Sequence, residues 1–276
     1  MRFSISGVNG GFGSELVRHL DNYEIVSLRY GEIGNHERKK LSECEVFVHC
    51  GGLLRGSYDD LFKSNVLLTK DILDYLTLEN PKVHFVYLSS MSLLRKKPKV
   101  NSRDYLEFWE MTDYALSKYI SEILCMRSGI PTTVVRFSTL FCRDPARDGL
   151  SRMVFYAVNQ KRITIFNNGM ARRDFMPLDI AAKYVVKMLG NELLHGRTLN
   201  VVSGRETSFR EVADFLSSKV TSLEIQDFPM QPLDSIPTDF GTEDISLLGE
   251  IEFDLFEEID KYRKSLFHNT DHLSQA

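Results

Sequence analysis

The chain has 276 residues, 43% of them hydrophobic and 26% charged, with a formal net charge of −4. That is globular composition, long enough for one large core or for a core plus a smaller lobe, and it argues against nucleic acid as the partner, because phosphate backbones need clustered Lys and Arg. The basic string "RKKPK" at 95–99 reads as a solvated loop. Cys44, Cys50, Cys125 and Cys142 show neither metal-site nor disulfide spacing and read as the reduced thiols of a cytoplasmic protein that holds no metal. No stretch approaches the roughly 20 apolar residues that cross a bilayer, and no signal-peptide apolar region is expected, so no membrane partner is expected either.

In chain order, "RFSISG" predicts a short strand running into a glycine cluster, and "GSELVRHLD" a helix with Leu16, Val17 and Leu20 on one face. "EIVSLR" predicts a second strand, and "CEVFVHCGG" a third whose near-continuous apolar run suits burial on both faces. Then follow a helix "NVLLTKDILDYLTL", a strand "KVHFVYLSS", a helix "DYALSKYISEILCMR" and a strand "PTTVVRFSTLF". Such alternation predicts an α/β fold, a doubly wound parallel sheet of Rossmann type, with the carboxyl ends of its strands along one edge where ligands bind. After residue 142 the alternation loosens. "RDGLSRMVFYAVNQ" and "PLDIAAKYVVKMLGNEL" read as helices, "RITIF" and "TLNVVS" as strands, and "SFREVADFLSSKV" as a helix opened by a Ser208–Glu211 capping box. Residues 226–242 read as a loop, "DLFEEIDKYRKSLF" as a last helix and "HNTDHLSQA" as a frayed tail. The expected division is a dinucleotide-binding domain of residues 1–142 plus 173–202, and a smaller C-terminal substrate-binding lobe of 143–172 and 203–276.

Two short patterns carry chemistry. "SGVNGGFG" spaces Gly7, Gly10 and Gly13 three apart between a strand and a helix. The first glycine permits the turn, the second lets a pyrophosphate approach, and the third allows helix and sheet to pack closely. A dinucleotide is therefore expected. Arg29 ends the second strand where NAD proteins place an acid for the ribose, and an arginine there suits the extra phosphate of NADP. NADP is accordingly favoured over NAD. In "TDYALSKYISE", Tyr114 and Lys118 lie one helical turn apart. The spacing alone is equally that of a surface tyrosine along a lysine stem.

With the glycine loop, "YLSSMS" and "YALSK" in this order, the chain resembles the extended short-chain dehydrogenase/reductase family of nucleotide-sugar epimerases, dehydratases and ketoreductases. "VFVHCGG", "KSNVLLTKDILDYL", "GMARRDFMPLDIAAKYVV" and "TLNVVSGRETSFREVADFL" are similar to further segments of that family, so the likeness covers nearly the whole chain. It implies Tyr114 as catalytic acid/base, Lys118 as its partner and Ser90 as the hydroxyl that holds the reacting oxygen, with Ser89 and Ser92 as alternatives for that hydroxyl. It also implies a cofactor lying against Gly7, Gly10, Phe12, Gly13, Arg29, Cys50, Gly51, Gly52, Asn65 and Ser89, besides Tyr114 and Lys118. Thr139 and Arg173 would meet the substrate, a nucleotide-diphosphate sugar. By the same resemblance the helices at 66–78 and 113–127 would pair two copies into a homodimer.

Three departures refine this expectation. Met91 and Ser92 stand where the dehydratase branch carries an acidic pair, which disfavours loss of water. "RYGEIGNHERKKLSE" leaves room for one short helix, so the sheet should lose or shrink an edge strand on the adenine side. Gly51 and Gly52 replace two alanines, and "TLFC" replaces an Asn-x-x-Gly stretch. The sequence thus points to an NAD(P)-dependent 4-ketoreductase, with an NAD-retaining 4-epimerase as the near alternative and a non-catalytic dinucleotide-binding protein as the distant one. His49 reads as a packed histidine, and Trp109 as a cover for the cleft or a loop.

Overall fold

The structure, a computed structural model, describes residues 1–20, 23–26, 28, 33–94, 99–100, 111–229, 239–240 and 243–270. Six strands build the main sheet: β1 (Phe3–Ser6), β2 (Tyr23–Val26), β3 (Val46–His49), β4 (His84–Ser90), β6 (Thr132–Phe137) and β10 (Arg197–Val201), in the order β10-β6-β4-β3-β1-β2. Every pairing in it is parallel. Two-residue β5 (Lys99–Val100) pairs separately with β13 (Asp239–Phe240). From β1 the chain passes to β2 on one side and then to β3 on the other, so the order reverses between β1 and β3. Crevices of this kind, outside the strand ends, are where doubly wound sheets bind ligands.

The helices that follow these strands cover both faces. Ile5, Val48, Val86 and Val135 meet Leu16 of α1 (Gly11–Leu16) and Ala181 and Val185 of α7 (Leu178–Met188) in one buried cluster. On the opposite face Phe47, Phe85, Tyr87 and Val134 meet Leu41 of α2 (Asn35–Glu43), Ile72 and Leu76 of α4 (Leu68–Glu79) and Cys125 of α5 (Asp113–Arg127). Burial on both faces explains why β3 reads as an unbroken apolar run. Among the described residues no strand lies outside β2, and α2 fills the connection to β3, as the shortened segment implies.

Three differences from the sequence reading bear on the site. The run "PTTVVRFSTLF" is two strands, because the chain leaves the main sheet at Ser138. β7 (Thr139–Phe141) then joins a second sheet, β11-β9-β7, built with β9 (Arg172–Pro177) and β11 (Glu206–Ser208). The helix leading to α4 starts early, at α3 (Tyr58–Leu61), where Ser57 and Asp60 form a capping box. It passes through a π-helical segment, Phe62–Leu67, before α4. Third, the range 203–276 is divided. α6 (Gly149–Gln160), β8 (Arg162–Phe166), α8 (Phe209–Lys219), β12 (Glu224–Phe228) and α10 (Leu255–Thr270) surround their own core of Leu150, Ile163, Val212, Leu216 and Ile259. Ile245 and Leu248 of α9 (Glu243–Leu248), by contrast, pack into the first cluster under the main sheet. Residues 226–242, read as a loop, continue β12 to Phe228 and include β13.

Candidate active site

At the β1–β3 crevice the glycine turn admits no side chains where it closes. Gly7 has φ +73°, and a Cβ there would stand 2.6 Å from the carbonyl carbon of Cys50 and the amide of Gly51. One on Gly13 would stand 2.3 Å from the Gly7 carbonyl oxygen. The Gly10 amide donates to that same oxygen at 2.9 Å, closing the turn ahead of α1, whose amino end no side chain caps. Phe12 leans on Phe137 at 4.9 Å between ring centroids. The result is a wall of bare backbone at the point where the strand order reverses.

Beside it, β4 ends at Ser90 and α5 begins at Asp113 behind the Thr112 cap, whose hydroxyl accepts from the Ala115 amide at 3.3 Å. Ser90 and Tyr114 both face the same cleft. Burial raises the phenol's pKa, and the Ser90 hydroxyl draws it back down. One turn further along α5, the Lys118 ammonium lies 4.2 Å from the centre of the Tyr87 ring. Burial drives its pKa down to about 8, against the pull of Cys125, Glu122 and Cys50. Glu122, another turn on, is locked to Arg136 by three hydrogen bonds of 2.6 to 3.2 Å, both side chains buried.

Asn65 lies in the π-helical segment, a feature often found at functional sites. Its amide donates to the Leu53 carbonyl at 2.9 Å and to the Ser117 hydroxyl at 2.9 Å, while its oxygen accepts from the Leu53 amide at 2.7 Å. It thereby fastens the loop after β3 to α5. A Cβ on Gly52 would stand 2.8 Å from that oxygen. His49 is a packed histidine, as read: Nδ1 meets the Ser6 hydroxyl at 2.7 Å and Nε2 the Thr69 hydroxyl at 3.2 Å. Burial first, and Lys118 second, hold its pKa down at about 3.

A cleft of about 610 Å³ opens over these groups. Phe12, Ser89, Ser90, Tyr114 and Thr139 line it, so residues from the glycine turn, two strand ends and α5 converge as the sequence suggests. Gly7, Gly10, Gly13, Cys50, Gly51, Gly52, Asn65 and Lys118 are not among the cleft's lining residues. Arg173 does not reach the lining: it is buried on β9, its guanidinium over the Phe209 ring at 6.0 Å and donating to the Arg172 carbonyl at 2.7 Å. Arg29 and Trp109 fall outside the described residues. Arg55, Arg147 and Asp148 also line the cleft and were not anticipated. Their only sequence signal is charge in the loops that follow β3 and β7. Asp148 caps α6, accepting from the Ser151 amide at 2.7 Å and the Cys142 amide at 2.9 Å.

The residues fit a dinucleotide. Gly7, Gly10 and Gly13 leave the turn's backbone without side chains of its own at the positions where a phosphate would approach, and the buried Ser89 hydroxyl on the cleft wall has no partner among the described residues. Among the described residues no group of His, Cys, Asp or Glu is arranged to hold a metal ion, and no helix is long and apolar enough to cross a membrane. All four cysteines are free thiols.

Comparison with known proteins gives the family and the fold. The model of the NAD dependent epimerase/dehydratase family matches residues 4–201. The chain belongs to that family. A curated relative, the uncharacterized UDP-glucose epimerase YtcB of Bacillus subtilis (strain 168), is 28% identical over 138 residues, a match that spans 48% of this chain and only 43% of that protein. Among solved structures, MoeE5 in complex with UDP-glucose and NAD superposes with a TM-score of 0.84 at 17% identity, covering 98% of this chain and 100% of that one. UDP-glucuronic acid 4-epimerase from Bacillus cereus in complex with NAD gives 0.81 at 17% identity, covering 97% and 100%. At such identities these structures show the fold.

Proposed function

We propose that the chain is a nucleotide-sugar oxidoreductase that moves a hydride to or from a sugar ring carbon, with Tyr114 as acid/base. The observation that carries this reading is that Ser90 and Tyr114 share one cleft with Phe12 of the glycine turn, the tyrosine one helical turn from the buried Lys118 ammonium. Gly7, Gly10, Phe12, Gly13, Cys50, Gly51 and Ser89 would hold a nicotinamide dinucleotide, which supplies the hydride acceptor or donor. Asn65 and Gly52 act behind them, keeping the loop after β3 pressed to α5. In the oxidative direction the Tyr114 phenolate takes the proton of a sugar hydroxyl as its carbon loses hydride; in reduction the phenol returns it. The Ser90 hydroxyl holds the reacting oxygen. Because burial raises the phenol's pKa, the phenolate would need a positive charge nearby, which Lys118 one helical turn on would supply. Thr139 and Arg55 would orient the substrate, the arginine by pairing with its diphosphate.

Net reduction of a 4-keto sugar with NADPH is the reading that Arg29 favours. A 4-epimerase that keeps its NAD is the second, favoured by the NAD named in the related complexes. Met91, buried after Ser90, leaves no acidic pair there for loss of water. Residues 1–142 with 173–202 form the dinucleotide domain, joined by α9, and 143–172 with the rest of 203–276 the substrate lobe. Leu78, Ile123 and Met126, exposed apolar residues on α4 and α5, support a homodimer through these helices; gel filtration at micromolar concentration showing only monomer would contradict it. Four free thiols suit a reducing cytoplasm. To test the main reading, the purified protein is denatured and its released cofactor identified by mass, then turnover is measured on a panel of nucleoside-diphosphate sugars with NADH and NADPH. Stoichiometric NAD would decide for the epimerase, consumption of NADPH for the reductase. Dinucleotide binding without turnover on any sugar would leave only the non-catalytic reading.

A further inference from the structure

We propose that Arg147, on the loop that enters the substrate lobe, clamps the dinucleotide's pyrophosphate from the side opposite the glycine turn. Gly11 begins α1 and carries no side chain, and Arg147 occupies the vacant space. Its Cδ lies 3.1 Å, its Nη1 3.4 Å and its Nε 3.6 Å from where a Gly11 Cβ would stand. The guanidinium therefore reaches across the cleft from the β7–α6 loop and lies over the turn that is built to approach phosphate.

The loop is stiffened for that reach. Asp144 accepts from the Arg147 Nε at 2.8 Å, and the Arg147 amide donates to the Asp144 carbonyl at 3.0 Å. At the loop's end Asp148 binds the Cys142 and Ser151 amides, tying both ends together. A second observation points to a ligand in the same cleft: the Ser89 hydroxyl, buried on its wall, has no partner among the described residues. A planar cation held by one nitrogen and laid over a bare-backbone turn suits a diphosphate, which accepts charge-assisted bonds from the rest of the fork. The position over Gly11 assigns it to the cofactor's diphosphate and not the sugar nucleotide's. A residue of the lobe would then share in holding the cofactor.

This inference rests on the dinucleotide reading, and the test separates the two. Calorimetric titrations with ADP-ribose and with UDP compare the wild type with Arg147→Gln and Arg147→Lys. We expect Arg147→Gln to weaken ADP-ribose by about tenfold or more, Arg147→Lys to recover part of that loss, and UDP binding to stay unchanged. The unfolding midpoint without ligand should also hold, since the side chain is 43% exposed. Equal ADP-ribose affinity in wild type and Arg147→Gln overturns the proposal, as does a loss confined to UDP, which would give Arg147 to the substrate. A wild type that binds no ADP-ribose overturns the dinucleotide reading itself, and the clamp with it.

Discussion

Replacing Lys118 with Met removes a buried charge while keeping most of its apolar stem, and should stabilise the cofactor-free protein even as it disables it. Burial lowers the ammonium from its ordinary 10.5 to about 8. At about 1.4 kcal/mol per pKa unit, keeping Lys118 charged costs the fold about 3 kcal/mol. Contact with the Tyr87 ring at 4.2 Å returns up to about 2 kcal/mol of this. The variant should therefore gain about 1 to 3 kcal/mol at pH 7, a visible fraction of a typical stability of about 5 to 15 kcal/mol. The pH dependence follows from linkage. The folded state binds the Lys118 proton less tightly than the unfolded chain, so the full cost is present below about pH 8 and fades as pH rises toward 10.5. The stability of the wild type should accordingly catch up with the variant over that window. Urea unfolding of both proteins at several pH values reads this directly. A variant less stable than wild type at pH 7, or a difference that ignores pH, would refute the reasoning.

Other perturbations follow from the same contacts. Glu122→Gln leaves the buried Arg136 guanidinium without its counter-charge and should cost about 3 to 5 kcal/mol in urea unfolding, much of it recovered when Arg136→Met is added; a double variant weaker than the single would contradict this. Gly13→Ala forces a Cβ to within 2.3 Å of the Gly7 carbonyl oxygen, a backbone atom that cannot swing aside as a side chain would. It should lower the unfolding temperature and abolish the thermal shift that NAD gives. Ser208→Ala removes the α8 cap, whose hydroxyl accepts from the Glu211 amide at 3.1 Å. A loss of about 1 kcal/mol with unchanged NAD affinity is expected, and a change in that affinity would show α8 coupled to the cleft.

Features fixed by neighbouring residues were legible in the sequence. The glycine turn, the α8 capping box and α5 all depend on spacings within one or two helical turns, and α5 runs over the predicted 113–127. The reversal between β1 and β3 followed from the alternation of strands and helices. The break at Ser138 was hidden because a β-branched run reads as one strand whether or not its end changes sheets. The π-helical segment left no mark on an apolar periodicity, yet it sets where Asn65 points. Arg147 over Gly11 and Arg173 against Phe209 are long-range placements, and no local pattern specifies which surface a flexible arginine will cover. The π-helical Asn65, expected at the cofactor, spends its side-chain amide on Leu53 and Ser117, a long-range pairing that no local pattern announces.

The most direct test is single-turnover absorbance of the reduced nicotinamide after mixing the protein with the cofactor and nucleoside-diphosphate sugar that the panel shows it to turn over, in wild type and Tyr114→Phe. An acid/base role at Tyr114 requires a transient in the wild type and its loss by about a hundredfold or more in the variant, with the cofactor bound equally by both. Equal transients would contradict the account.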